Sequence, residues 1–169
     1  MTGSGDAAWL AAGRSLRTCL ADDAPTNPRT GLFHGDYQTN NILFAEREEV
    51  VAVVDWEIAG LGPQGLDLGW LMMMCDPTCW HSGYRERMRV TARPRELLRR
   101  YEATSGIRVD RPDWYQALAC YRFGAIAAYN YRLHQKKRRV DELYAAMAPS
   151  VDVLFRRGGQ LLAQSHDRL

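Results

Sequence analysis

Apolar residues along this chain occur in two patterns, short strand-like runs near the middle and helical repeats elsewhere. Apolar runs at 42–44 and 50–54 enclose the polar stretch 46–49, which is typical of two strands joined by a turn. Outside this hairpin, the spacing of apolar residues predicts helices over residues 7–21, 66–75, 94–105, 110–134, 141–147 and 150–164. We therefore predict an α+β fold that is mostly helical, with one small β-hairpin.

Two segments follow neither pattern. Residues 56–65 are interrupted by glycine and are predicted to form a loop, and residues 76–91 are predicted to be irregular. Pro94 and Gly106 then mark the expected start and end of a helix, because proline is favoured in the first turn and glycine just past the last.

The residues beside the hairpin carry the most distinctive polar pattern in the chain. Asp36 lies on the segment that leads into the first strand, Asn41 precedes that strand, and Asp55 follows the second strand. Because a hairpin returns the chain to its starting end, we expect these side chains to lie close together. In phosphoryl transfer, one Asp accepts the proton of the attacking hydroxyl, while an Asn five residues later and a further Asp bind magnesium. The three positions fit this arrangement.

Simpler interpretations of the same residues stay open. Asp and Asn are common in turns, where their side chains bond to nearby backbone groups. Another alternative is a metal-dependent hydrolase that uses Asp36 and Asp55 to release phosphate from a phosphoester without ATP.

Two stretches carry a family resemblance, HGDYQTNNILF at 34–44 and VVAVVDWEIAGLGPQGLDLGWL at 50–71. They resemble the aminoglycoside phosphotransferase and choline kinase-like family, which has a protein-kinase-like fold. The similarity is greatest to the branch found with some acyl-CoA dehydrogenases. The resemblance runs from about residue 32 to the C-terminal helices, and it implies a kinase C-terminal lobe whose hairpin carries the catalytic and metal-binding loops.

The resemblance also assigns roles to individual residues. It implies that Asp36 is the catalytic base, that Asn41 and Asp55 are magnesium ligands, and that ATP and Mg²⁺ are used. It places Leu43 and Val54 under the adenine ring, although either residue could equally belong to the core.

Two further residues have structural roles by the same resemblance. His34 is expected to hold the catalytic loop by hydrogen bonding. Asp67 is expected to start a helix and to hold the metal-binding loop, or to be a simple charge at a helix N-terminus.

The chain departs from the family in its first 33 residues, which contain no glycine-rich loop after a strand and no lysine. The only lysines in the sequence are Lys136 and Lys137. We therefore expect one domain over residues 1–169 that corresponds to the C-terminal lobe alone, with residues 1–6 disordered. A truncated chain, a partial reading frame and one half of a split enzyme are equally compatible with this. We expect the isolated chain to bind nucleotide weakly. An alternative function is a catalytically inactive lobe that serves as a binding module.

Charge is distributed unevenly, with a formal net charge of −7 over residues 1–81 and +9 over residues 82–169. The C-terminal half supplies the substrate side in this family, and its arginines favour an anionic acceptor such as a hydroxyacyl-CoA ester over a cationic aminoglycoside or choline. A solvated helix face explains the same arginines, such as Arg122 and Arg132 on the long helix. No nucleic-acid-binding motif accompanies them.

Size and composition indicate an ordinary globular protein. The chain has 169 residues, of which 46% are hydrophobic and 25% are charged. Neither a secretory signal nor a run long enough to span a bilayer is present, so we expect a cytoplasmic protein without a membrane partner.

Overall fold

The computed structural model describes residues 4–46 and 49–166, with side chains described for residues 7–46 and 49–165. Seven α-helices run along these parts of the chain: α1 (Ser4–Asp22), α2 (Gly65–Cys75), α3 (Ser82–Arg85), α4 (Pro94–Ser105), α5 (Pro112–Gln135), α6 (Glu142–Met147) and α7 (Ser150–His166). Four short strands lie between α1 and α2: β1 (Thr30–Phe33), β2 (Ile42–Phe44), β3 (Val50–Val53) and β4 (Gly60–Pro63). The predicted mostly helical α+β class is confirmed.

The strands form two separate antiparallel pairs, β2 with β3 and β1 with β4. The first pair is the predicted hairpin, in register Ile42 with Val53 and Leu43 with Ala52. The second pair was not predicted, and it contradicts the expectation of a plain loop over 56–65. The prediction was wrong because Gly60 and Gly62 have no side chains and so give the strand no alternating apolar pattern. In the structure both glycines lie against the ring of Phe33, where a larger residue would not fit.

Helix boundaries agree closely with the prediction, with two differences. The first helix begins at Ser4, within the segment 1–6 that we expected to be disordered, and residues 1–3 lie outside the described residues. The segment 76–91, predicted to be irregular, contains a 3₁₀ turn (Pro77–Cys79) and the short helix α3. The predicted end of α4 is confirmed, because Gly106 adopts the left-handed conformation with φ 68°.

The core lies where α2, α5 and α7 pack together, with α1 alongside. Leu16, Met73, Val151 and Leu154 are buried in it, and α5 contributes mainly small residues such as Ala117, Cys120, Gly124 and Ala127. Small side chains let helix backbones approach one another closely. A Cβ added to Gly69 of α2 would lie 2.5 Å from the backbone carbonyl of Tyr115 in α5.

This close approach predicts a large loss of stability for Gly69→Ala. The added methyl group meets backbone atoms that cannot rotate away, so we expect the free energy of unfolding to fall by about 1–3 kcal/mol. Gly159→Ala in α7 is the matched control, because no atom lies within 4 Å of the added Cβ. That variant should gain about 0.5–1 kcal/mol from higher helix propensity. Urea denaturation of both variants tests this, and equal stabilities would contradict it.

Candidate active site

The segment between β1 and β2 forms a tight loop that presents Asp36. Gly35 adopts a positive φ of 89°, and a Cβ at this position would lie 2.8 Å from the backbone oxygen of Ile58. Only glycine accommodates both constraints without strain. A 3₁₀ turn (Thr39–Asn41) then leads directly into β2, so the loop is held between two strands of different sheets.

Asp67 and His34 fix this loop to the rest of the fold. The Asp67 carboxylate accepts hydrogen bonds from the backbone N–H of His34 (2.6 Å) and of Gly35 (2.9 Å). His34 Nε2 lies 2.8 Å from the backbone oxygen of Val54, and its Nδ1 accepts from the backbone N–H of Asp36 at 3.2 Å. Together these bonds specify a neutral imidazole with its proton on Nε2. His34 therefore holds the loop, as expected, and joins it to the residue that precedes Asp55.

The Asp67 bonds decide between the two expectations for that residue. Asp67 lies in the first turn of α2, but its carboxylate reaches across to the loop that carries Asp36 instead of only facing its own helix. Asp67 is linked to the segment that carries Asp55 through His34, whose ring contacts the backbone oxygen of Val54.

Asp36 is half-buried and its carboxylate accepts three hydrogen bonds. Trp70 Nε1 donates to Oδ1 at 2.8 Å, and Gln38 Nε2 and Asn41 Nδ2 donate to Oδ2 at 2.8 and 3.1 Å. Three fixed donors set the orientation of the carboxylate before any substrate arrives. Sequence reasoning missed Trp70, although its position three residues after Asp67 places both on the same face of α2.

Asn41 contacts Asp36 directly, as predicted. Its amide nitrogen donates to both the backbone oxygen and the carboxylate of Asp36, at 2.9 and 3.1 Å. Since the nitrogen is committed to these bonds, the side-chain oxygen of Asn41 is the atom that could ligate a cation.

The hairpin register brings Asp55 to the same end as Asn41. The Val54 N–H donates to the Asn41 backbone oxygen at 2.9 Å, so Asp55 leaves β3 beside the residue that enters β2. Asp55 is exposed, has a positive φ of 69°, and makes no hydrogen bond or ion pair with the side chains that the structure describes. Asp55 and Asn41 therefore lie at the same end of the hairpin, and a carboxylate and an amide oxygen are ligand types suited to a hard cation.

Asn41 and Asp55 are of the ligand type, and about the number of protein ligands, that Mg²⁺ uses. Among residues 4–46 and 49–166, no group of three His, Cys, Asp or Glu side chains could hold a metal ion. Mg²⁺ does not require such a group, because it is usually bound by one or two side chains together with water and substrate phosphates. Asn41 and Asp55 would supply those protein ligands.

Leu43 and Val54 share one face of the hairpin. Leu43 pairs with Ala52, and Val54 lies two residues beyond Ala52 on the same side of the strand. Their exposed fractions of 49% and 39% show that neither is plain core. The hairpin thus presents an apolar face next to the polar cluster.

Arg122 of α5 also reaches the loop that carries Asp36. Its Nη2 lies 3.5 Å from the backbone oxygen of Gly35, and its guanidinium lies 4.9 Å from the centroid of the Trp70 ring. No ion pair joins it to a carboxylate in the described part of the chain. A partly buried cation therefore lies beside Gly35 and Trp70, the neighbours of Asp36, with donors left for an anionic group.

The cysteines take no part in this site. A hydrogen bond with Cys120, 3.8 Å between sulfurs, and then burial raise the pKa of the Cys79 thiol well above its usual range. Burial likewise raises the pKa of Cys75. Both thiols are therefore neutral at ordinary pH and are poor nucleophiles or metal ligands.

Comparison with known families identifies this arrangement. The family model described as "Phosphotransferase enzyme family" matches residues 3–115, more than half of the chain. The chain belongs to the phosphotransferase enzyme family. A solved structure described as an aminoglycoside phosphotransferase from Ralstonia eutropha has the same fold, with a TM-score of 0.68 at 21% identity. The match covers 89% of this phosphotransferase chain and 49% of that one.

Sequence relatives confirm the predicted similarity to the branch associated with acyl-CoA dehydrogenases. Acyl-CoA dehydrogenase family member 11 of Pongo abelii is 28% identical over 123 residues, which is 68% of this chain and 16% of that protein. Acyl-CoA dehydrogenase family member 10 of mouse is 43% identical over 47 residues, 27% of this chain and 4% of that protein. The phosphotransferase chain thus spans a small part of the relatives it matches.

None of the helices in its described part is long and apolar enough to cross a membrane.

Proposed function

We propose that this chain carries the catalytic base and the metal ligands of a phosphotransferase that moves the γ-phosphoryl group of Mg-ATP to a hydroxyl group of a small molecule. The observation that carries the proposal is the Asp36 carboxylate, oriented by three donors and in contact with Asn41. These donors occupy three of the four lone-pair sites of the carboxylate, and the remaining site on Asp36 Oδ1 can accept the proton of an acceptor hydroxyl.

The other residues of the site bind and orient. Asn41 and Asp55 would hold Mg²⁺, which would supply positive charge to offset the negative charge of the nucleotide phosphates. Leu43 and Val54 offer an apolar face on which the adenine ring would lie. Asp67 and His34 keep the loop in place, so little reorganisation is needed when substrates bind.

The acceptor is proposed to be anionic, and a hydroxyacyl-CoA ester is one compound of this kind. Arg122 supports this because it places a partly buried positive charge next to the catalytic loop, with no carboxylate partner among the described residues. A polycationic aminoglycoside would be repelled at this position, whereas a carboxylate or phosphate group would gain charge-assisted hydrogen bonds.

Transfer of label from radiolabelled ATP to a panel of hydroxy compounds tests the proposed reaction. We expect Mg²⁺-dependent labelling of anionic acceptors, with EDTA abolishing it. The assay is best run on the chain alone and on the chain joined to the N-terminal lobe of a family member, because nucleotide held from one side is expected to bind weakly. Phosphate release from a simple phosphoester without ATP would instead favour a hydrolase.

Arg122→Gln tests the acceptor class. Loss of a hydrogen bond to a charged group should raise KM for an anionic acceptor about 10-fold, with a smaller change in kcat. KM for a neutral analogue should be unchanged. Arg99→Gln, an exposed position on α4, is the control for the loss of one positive charge. Equal effects of Arg122→Gln on both acceptors would remove the argument for an anionic substrate.

Exposed apolar side chains favour a second candidate, a lobe that binds a partner. They lie on and between the two strand pairs, and Leu61 is 82% exposed and Leu32 61%. Large exposed apolar patches are typical of binding surfaces. Sedimentation would show association through this surface, and a monodisperse monomer that turns over ATP would count against a purely binding role.

A further inference from the structure

A groove of about 690 Å³ lies between α1 and α5, lined by the helices on either side with Phe155 of α7 among its walls. The two helices run antiparallel. The rings of Trp9 and Tyr131 lie 5.9 Å apart at one end, and Trp114 Nε1 donates to the backbone oxygen of Leu20 at 3.0 Å towards the other. The lining spans eleven residues of α1, Ala7 to Arg17, which corresponds to a length of about 15 Å.

Small residues create the groove. Gly13, Ala125 and Ala128 line it and contribute almost no side-chain volume. The ring of Phe155 fills the space beneath Gly13, since a Cβ added to Gly13 would lie 3.3 Å from its Cζ. Larger apolar residues stand exposed at the edge, with Leu10 55% and Tyr129 63% exposed. The shape suits large side chains projecting from a partner into a channel of small ones.

The groove is also strongly basic. Arg14 and Arg17 of α1 and Arg132 of α5 are among its lining residues, which include no Asp or Glu. None of the three arginines is in an ion pair with a carboxylate in the described part of the chain. Both sides of the groove therefore carry positive charge that is available to an incoming group.

The distribution of this charge argues for an extended occupant. Because the helices are antiparallel, Arg132 lies near the start of α1 and Arg17 near the opposite end, about 15 Å away along the helix axis. An occupant with several charges spaced along the groove could contact both. A helix packed lengthwise in the groove could place acidic residues of successive turns along both edges, while its apolar face covers Leu10 and Tyr129.

We propose that the groove between α1 and α5 is a docking site for an amphipathic helix of a partner polypeptide, with acidic residues on both sides of its apolar face. The arginines of the groove favour a partner with acidic residues, and the channel of small residues favours large apolar side chains on its packed face. This site is separate from the catalytic loop, so it does not depend on the proposed phosphotransferase reaction.

Two synthetic helical peptides of about 14 residues test the proposal with the full chain. Both have the same leucine face, flanked by Glu in one peptide and by Lys in the other. In fluorescence anisotropy we expect saturable binding of the Glu peptide, weakened by salt, and at least about 10-fold weaker binding of the Lys peptide. Absence of saturable binding by the Glu peptide, or equal binding of the two, would overturn the proposal.

Variants of exposed residues locate the binding. Ala125→Trp should fill the channel and weaken binding of the Glu peptide at least about 10-fold. The double variant Arg14→Glu/Arg132→Glu should reverse the preference between the two peptides, and Arg99→Glu on α4 should leave it unchanged. Circular dichroism checks that each variant is folded, and the double variant keeps the test decisive if Ala125→Trp unfolds. Unchanged binding in the double variant would overturn the proposal.

The same variants would also detect two other occupants of the groove, a small amphiphile and a second copy of this chain. If dodecanoate binds in a manner sensitive to Arg14→Glu/Arg132→Glu while neither peptide binds, the groove accepts a small amphiphile and the proposal is wrong. If sedimentation shows a dimer that Ala125→Trp dissociates and the Glu peptide does not bind, the groove is a self-association surface and the proposal is again wrong.

Discussion

Replacing Asp36 with Asn is expected to lower the rate of phosphoryl transfer by about 10²–10⁴-fold, because the amide cannot accept the proton of the acceptor hydroxyl. The substitution conserves size, and although Gln38 loses its acceptor on Oδ2, Asn41 keeps its bond to the backbone oxygen of residue 36. The backbone bonds to Asp67 and His34 that hold the loop are unaffected. The loop should therefore stay in place and nucleotide binding should be largely kept. ADP formation in the presence of an anionic hydroxy compound measures the rate, and calorimetry measures the nucleotide affinity.

Asp110→Asn is the matched control for this prediction. It makes the same chemical change at an exposed position just before α5, away from the catalytic loop. Its rate should equal that of the unaltered protein. If Asp36→Asn retained a rate within about threefold of the control, Asp36 would not be the catalytic base.

Removing the Asp55 carboxylate is expected to weaken Mg²⁺-dependent nucleotide binding by about 10²-fold, the upper end of what loss of a supporting residue costs a metal site. Asp55 is one of only two proposed protein ligands, so the remaining Asn41 oxygen would hold the cation poorly. Titration of ATP with and without Mg²⁺ measures the effect. Binding of nucleotide in the absence of the metal should hardly change.

Two substitutions separate the metal effect from a backbone effect at this position. Asp55 has φ 69°, a conformation that glycine adopts freely and that strains alanine by about 1 kcal/mol or more. Asp55→Ala and Asp55→Gly should therefore lose metal-dependent binding equally, although Asp55→Ala should unfold at a lower temperature. If Asp55→Gly kept metal-dependent binding and only the less stable Asp55→Ala lost it, Asp55 would be a structural turn residue. That is the alternative that the sequence left open.

The motif around the hairpin could be predicted because its geometry is local. Asp36, Asn41 and Asp55 are joined by one turn and two short strands, so alternating apolar runs and a polar connection were enough to bring their backbones together. Helix boundaries such as Pro94 and Gly106 were likewise marked by residues with strong local preferences. The roles of the three side chains in binding and catalysis stay predictions until the experiments above are done.

Other parts of the fold carried no such local signal. β1 and β4 pair across about thirty residues, and the glycines of β4 show no alternation that would mark a strand. On α5, the spacing of apolar residues predicted the helix but not its buried face: Ala125 is exposed, while buried positions are held by small residues such as Ala117 and Gly124. Which face of a helix is buried depends on where its neighbours lie, and the repeat alone did not show this.

The sequence by itself determined the family, the mostly helical class, the hairpin and the spacing of its polar residues, because each depends on neighbours within a few residues or on one tight turn. Tertiary structure alone decided what surrounds Asp36. Trp70 and Asp67 come from α2, more than thirty residues away, and Arg122 comes from α5, 87 residues beyond Gly35. Such contacts arise only when helices pack, and many packings are compatible with the same local preferences.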